Sequence, residues 1–415
     1  MVITQHLKKF MPKILITGNG FDLNLGLPTA YNDFIKILRY STSNTDLSFE
    51  SVYAHSCNHK EISERFKSFS FDKTNIEKLN ELTAESLWFQ FFKDEFEIET
   101  WIDFENKIEY VLKILFSSAE YIKEHIFSKG STSTKYRNTY NNKILNNNIE
   151  IIEVLSQFNL IKRIYEDEFE LNNEFLVMKY NSFIDLDLSK ITNYFNTELI
   201  KFKIIFNYYF ETFVFPFYDN LKFKVDRSLF MKINRHYTFN YTPTFEKIYA
   251  NSQITKFLHG KINSVENKIV LGINEIPISE TVEKKYFLPF TKYFQKLNNN
   301  TDYAFIREFS TKLNNNYLFF FWGHSLDKSD EDYLNEVFDF VNDLKTKTKK
   351  IIIIFHNEES KEKLLLNILN VRGKKDVQDL MRSQILEFLH VDSKALQKEL
   401  NRDITNRPVS STIMY

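Results

Sequence analysis

Cysteine is almost missing from this 415-residue chain; Cys57 stands alone, which excludes an intrachain disulfide framework and any cysteine-built zinc module and suits a reducing compartment. Neither sign of charge prevails. With 54 basic residues against 55 acidic ones the formal net charge is −1, so there is no basic field for nucleic acid or an anionic membrane. No apolar run reaches the roughly 18 residues of a membrane span, and the first dozen residues contain no long apolar core. These absences predict a soluble, cytoplasmic protein with no direct nucleic-acid partner and no membrane partner. Apolar residues, by contrast, are plentiful: 43% of the chain is hydrophobic, with 42 Phe and 22 Tyr, which excludes a mostly disordered chain. The length allows about two to three domains. The aromatic residues read as core and interface material, since no basic stripe accompanies them to make a nucleic-acid stacking platform.

Glycine is scarce too, with eight in the whole chain, so its positions are informative. Gly18, Gly20 and Gly26 all fall within KILITGNGFDLNLGLPTAY, residues 13–31. Residues 14–17 read as a short buried strand. The turn after it calls for glycine, whose backbone reaches positive φ and lets phosphate oxygens come close. A helix should follow at once, capped by Asp22 or Asn24, its N–H groups and dipole able to hold an anion without Lys or Arg. Gly260, Gly272 and Gly323 end or interrupt later strand-like segments.

The remaining pattern predicts an α/β protein. A helix is expected over residues 32–40 and strands over 235–239, 255–258, 269–272, 317–322, 350–355 and 385–389. The runs at 317–322 and 350–355 are continuously apolar, as in strands covered on both faces of a parallel sheet. With helices such as 330–344 between them, they give a doubly wound parallel, Rossmann-like sheet. Residues 46–230 lack glycine-punctuated strand pattern and carry amphipathic stretches at 84–115 and 188–215, so they read as a helical insertion domain after the first βα unit. Residues 1–45 and 231–415 are then the nucleotide-binding core. Within the insertion, residues 131–148 (STSTKYRNTYNNKILNNN) read as a polar loop.

The spacing at the turn separates it from common fingerprints. A dehydrogenase motif wants a small residue where Leu23 stands, and a P-loop wants Gly-Lys-Ser/Thr, which is absent. Gly18-Asn19-Gly20 is followed instead by Gly26-Leu27-Pro28, and later by Phe239-Asn240-Tyr241-Thr242, Leu258-His259-Gly260 and Gly323-His324-Ser325-Leu326, each at a strand end. In order and placement these segments resemble the NAD-binding core of sirtuins. More closely, GNGFDLNLGLPTAYNDF, the WIDFE segment at 101–105, FNYT, LHG and WGHSLDKSD resemble the AbiH family of phage abortive-infection proteins, a sirtuin-related branch. The chain departs from protein deacylases of the sirtuin family, which carry a four-cysteine zinc module, and Tyr31 and Thr242 replace an Arg and an Asp of their motifs.

The resemblance implies an antiphage effector that binds NAD and cleaves its nicotinamide–ribose bond, depleting cellular NAD. Nicotinamide leaves neutral from a pyridinium, so no general acid is required. Asn240 would hold the ribose hydroxyls and a water, while a neutral His259 would accept a ribose proton. Phosphates would lie on Gly18, Asn19 and Gly20, with Phe21, Asp22, Gly26 and Gly260 completing the neighbourhood. By resemblance Gly323, Ser325 and Asn357 would face the pyrophosphate and adenosine. Asp22 orients the ribose or caps the helix; His324 touches ligand or caps a helix; Glu105 with Trp101 packs or reaches the site; residues 327–332 are the charged start of a helix. Asn240 alone could be a turn residue and His259 alone a structural histidine. Cys57 with His55 and His59 reads as a solvated segment, so no metal and no cofactor beyond the NAD substrate is expected. A homo-oligomer or a phage-derived trigger would control activity. The competing reading is a non-catalytic sensor of NAD, ADP-ribose or a related nucleotide, which would need the glycine turn but neither Asn240 nor His259.

Overall fold

The computed structural model describes residues 12–402 apart from 45, 55–70, 96–99, 125–134, 138–148, 166–167, 181, 222–224, 250–254, 263–267, 277–282, 303, 307–315 and 347–348. Six strands make the central sheet: β1 (Lys13–Thr17), β2 (Arg235–Thr238), β3 (Thr255–Phe257), β4 (Tyr317–Trp322), β5 (Lys349–Phe355) and β6 (Leu386–His390). All neighbours are parallel, in the order β3-β2-β1-β4-β5-β6. This is the strand order of a doubly wound, Rossmann-like sheet, whose direction of winding reverses between β1 and β4. There, Leu15 sits opposite His236 on one side and Phe320 on the other.

The alternation of side chains along each strand divides the apolar residues between the two faces. Ile14, Ile16, Phe319, Phe321, Ile351 and Ile353 pack beneath α1 (Glu331–Asp343) and α2 (Glu358–Arg382). Leu15, Leu318, Phe320, Trp322, Ile352 and Ile354 belong to a second cluster that runs without a break into the chain between β1 and β2. Two 22-residue helices dominate that connecting chain. In Trp101–Ile122, Thr100 and Asp103 cap each other reciprocally. Leu188–Tyr209 is capped by Asp187 and buries Ile191, Phe195, Leu199, Phe202, Phe206 and Tyr209 at helical spacing.

The connecting chain is not wholly helical. Lys135–Arg137, Glu168–Leu171 and Ile161–Tyr165 form a three-stranded antiparallel sheet, and Leu176–Lys179 pairs with Ser182–Leu186. Asn159 and Tyr180 adopt positive φ at 59° and 51° beside these strands, so the turns were made without the glycine that would have signalled them. The expected loop at 131–148 lies outside the described residues except at its strand. The amphipathic stretch 84–115 divides into Leu87–Phe92 and Trp101–Ile122. Residues 269–272 are no strand of the sheet: Val270 N–H donates to the His259 carbonyl at 2.8 Å, and the Gln295 amide pairs with Leu271 N–H and C=O at 3.0 Å each. Side chain and loop take the bonds a strand would have given to a neighbour.

Candidate functional site

Where β1 and β4 end, their backbones nearly touch. The Gly18 N–H donates to the Trp322 carbonyl at 3.1 Å and the Gly20 N–H to the Gly323 carbonyl at 2.8 Å. A Cβ on Gly18 would sit 2.6 Å from His324 Cα, and one on Gly20 2.8 Å from Gly323 Cα. The glycines of the first motif are therefore required by the approach of one strand-end turn to the other. The Gly18 and Gly20 N–H groups are spent within the protein, as is that of Phe21, which donates to Gly18 O at 2.9 Å.

Above this contact lies a cavity of about 590 Å³, within the roughly 300–1,000 Å³ typical of small-molecule sites. Gly18, Asn19, Gly20, Asp22, Asn240, His259, Gly323, His324 and Ser325 border it. Other residues named from sequence do not. Phe21 turns into the core against Phe230, Phe245, Tyr249 and Trp322. Gly26 closes the short helix Asn19–Asn24 through its N–H to Leu23 O at 2.9 Å, and Gly260 closes the turn after β3 through its N–H to Phe257 O at 3.2 Å. Asn357 caps α2, its Oδ1 accepting from Ser360 N–H at 2.8 Å; the same helix instead brings Ser360, Lys363 and Asn367 to the cavity.

One pole of the cavity is made by the β1 and β2 ends. Asn240 Nδ2 donates to Gly18 O at 3.0 Å, fixing the amide against the turn. Asp22 does not cap its helix; its Oδ2 accepts from the Thr242 hydroxyl, while Oδ1 has no hydrogen-bond partner among the described residues. Burial pushes its pKa up to about 7, against the hydroxyls of Thr242 and Thr244.

The other pole gathers charge. His259 Nε2 lies 3.3 Å from Asp330 Oδ1 and His324 Nε2 lies 3.5 Å from Asp330 Oδ2. Burial would lift the Asp330 pKa, but the two imidazoles and the Lys292 ammonium hold it well below the usual carboxylate value. Burial drives His259 down to about 4, with Asp330 pulling the other way, so the imidazole is neutral near pH 7. Lys292, 3% exposed, pairs with Glu105 at 2.6 Å; burial opposes its charge, but Glu105 and Asp330 outweigh that and raise its pKa.

Asp330 and Lys292 escaped the sequence reading. A run such as DKSDED usually lies in solvent at a helix start, yet Asp330 is buried and its side chain makes no cap hydrogen bond to α1. Its membership of WGHSLDKSD was the available signal. Glu105 and Trp101 do border the cavity, together with Phe206 and Phe210 from the chain between β1 and β2. Phe210 stands at the start of a π-helical turn, Phe210–Val214, a distortion that often marks functional sites. The His55, Cys57 and His59 segment lies outside the described residues, among which no group of three or more His, Cys, Asp or Glu could hold a metal ion. No helix among them is long and apolar enough to cross a membrane.

The chain belongs to the AbiH family: the family described as "Bacteriophage abortive infection AbiH" matches residues 14–355. No curated protein and no solved structure matches it.

Proposed function

We propose that the protein acts in abortive infection by binding NAD in this cavity and hydrolysing the nicotinamide–ribose bond. The observation that carries the reading is the position of the cavity at the winding reversal between β1 and β4, where doubly wound sheets hold dinucleotides, with Asn240 and a neutral His259 on its walls. In the reaction, the C1′–N bond breaks with its electron pair going to the nicotinamide nitrogen, and a water oxygen bonds to C1′. The proton set free in net hydrolysis passes through His259 to solvent. Asn240 orients the ribose hydroxyls, a positioning role that works through proximity. Because the Gly18 and Gly20 N–H groups are spent on the Trp322 and Gly323 carbonyls, Ser325, Ser360, Lys363 and Asn367 offer the phosphate and adenosine contacts. Trp101, Glu105, Phe206 and Phe210 bring a second wall from the chain between β1 and β2, the part through which a trigger or a second copy would open or complete the site. Incubating the purified full chain with NAD and following nicotinamide release tests the reading. Binding of NAD without release would instead support the sensor.

A further inference from the structure

The backbone around His324 settles which of its ring nitrogens accepts a hydrogen bond. Its Nδ1 accepts the Leu326 N–H at 2.9 Å, so in the neutral ring the proton must sit on Nε2. The loop is strained to make this bond. Leu326, fully buried, has φ of 56°, a left-handed conformation that costs a non-glycine residue about 1 kcal/mol or more. The protonated Nε2 of His324 then faces Asp330 Oδ2 at 3.5 Å.

Asp330 is placed with similar care. Asp327 accepts from Ser329 N–H at 2.8 Å and caps the 3-10 turn Lys328–Asp330. Asp330 ends that turn at the N-cap of α1 but forgoes the capping bond, which ordinarily contributes about 1 kcal/mol. Its carboxylate lies between two imidazoles, and Oδ1 comes within 3.3 Å of His259 Nε2, two buried polar atoms that have no hydrogen-bond partner among the described residues. The Phe239 ring stands edge-on to both imidazoles, at 4.2 Å from His324 and 5.3 Å from His259. An ionised carboxylate only accepts hydrogen bonds, so the Nε2 beside Oδ1 is favoured as a donor, since an unprotonated Nε2 would set lone pair against negative charge.

We propose, on the basis of the NAD-cleavage reading, that Asp330 is the positioning residue that fixes His259 with its proton on Nε2 and leaves Nδ1 as the atom that accepts the proton. Leu326 thus sets His324, His324 sets the free oxygen of Asp330, and Asp330 sets His259. Asp330→Asn would present an amide N–H to Nε2 and reverse the tautomer, removing the acceptor at Nδ1.

The test uses the full chain labelled with nitrogen-15, reading imidazole tautomers from long-range proton–nitrogen spectra between pH 6 and 8, with His259 assigned by His259→Gln. Wild-type His259 should be protonated on Nε2 throughout. In Asp330→Asn the proton should move to Nδ1, kcat for nicotinamide release should fall about 100-fold or more with KM little changed, and Asp330→Glu should recover part of the loss. A wild-type His259 protonated on Nδ1, or an Asp330→Asn variant with wild-type kcat, overturns the proposal. If Asp330→Asn fails to fold, the wild-type tautomer decides. If the wild type releases no nicotinamide, the NAD reading fails, while the spectra still decide whether Asp330 sets His259.

Discussion

Gly20 and Gly323 are bonded backbone to backbone, N–H to carbonyl at 2.8 Å, at the ends of neighbouring strands. No side chain fits between the turns they occupy. A Cβ on Gly323 would lie 2.0 Å from Phe21 N, and its φ of 68° disfavours any other residue. Gly323→Ala should therefore destabilise the fold by at least about 2 kcal/mol in urea unfolding. Gly20→Val should do likewise. Variants as stable as the wild type would mean that the two turns are not packed this way.

Asp22 gives a pH test. The unfolded chain releases the Asp22 proton near the ordinary value of 3.8, whereas the folded chain keeps it to about 7. Between those values the folded state binds more protons, so this group makes stability fall as pH rises and has no further effect above about 7. Asp22→Asn should remove that penalty and gain on the wild type as pH rises from 4 to 7, on the order of a few kcal/mol by pH 8. Equal stability differences at pH 4 and pH 8 would show that the carboxyl ionises freely.

The Glu105–Lys292 pair joins the chain between β1 and β2 to the wall near Asp330, with both side chains largely buried. Removing one partner strands the other charge, which costs about 3–5 kcal/mol. Lys292→Met should be destabilised to that extent, and combining it with Glu105→Gln should restore much of the loss. A double variant as unstable as the sum of the single ones would contradict the pairing.

The core was legible because a parallel sheet buried on both faces writes itself as unbroken apolar runs, as in Tyr317–Trp322 and in residues 351–355. The small sheets between β1 and β2 were hidden because Asn159 and Tyr180, not glycine, take the positive φ. Residues 269–272 have a strand's composition, but their partner is the Gln295 side chain, which no local pattern announces. At the site, the glycine turn, Asn240 and His259 could be picked out because each follows a strand. Asp330 and Lys292 could not: the residues they face, His259 for the one and Glu105 for the other, are distant in sequence, and only the assembled fold brings them together.

Nicotinamide release from NAD by the purified full chain, compared with Asn240→Ala and His259→Ala, tests the central claim most directly. The wild type should release nicotinamide and form ADP-ribose. Each variant should keep its fold by circular dichroism and lose at least about 100-fold in kcat, because the proposed role of both side chains lies mainly in the transition state. Variants that cleave NAD at the wild-type rate, or a wild type that binds NAD and never cleaves it, would contradict the account.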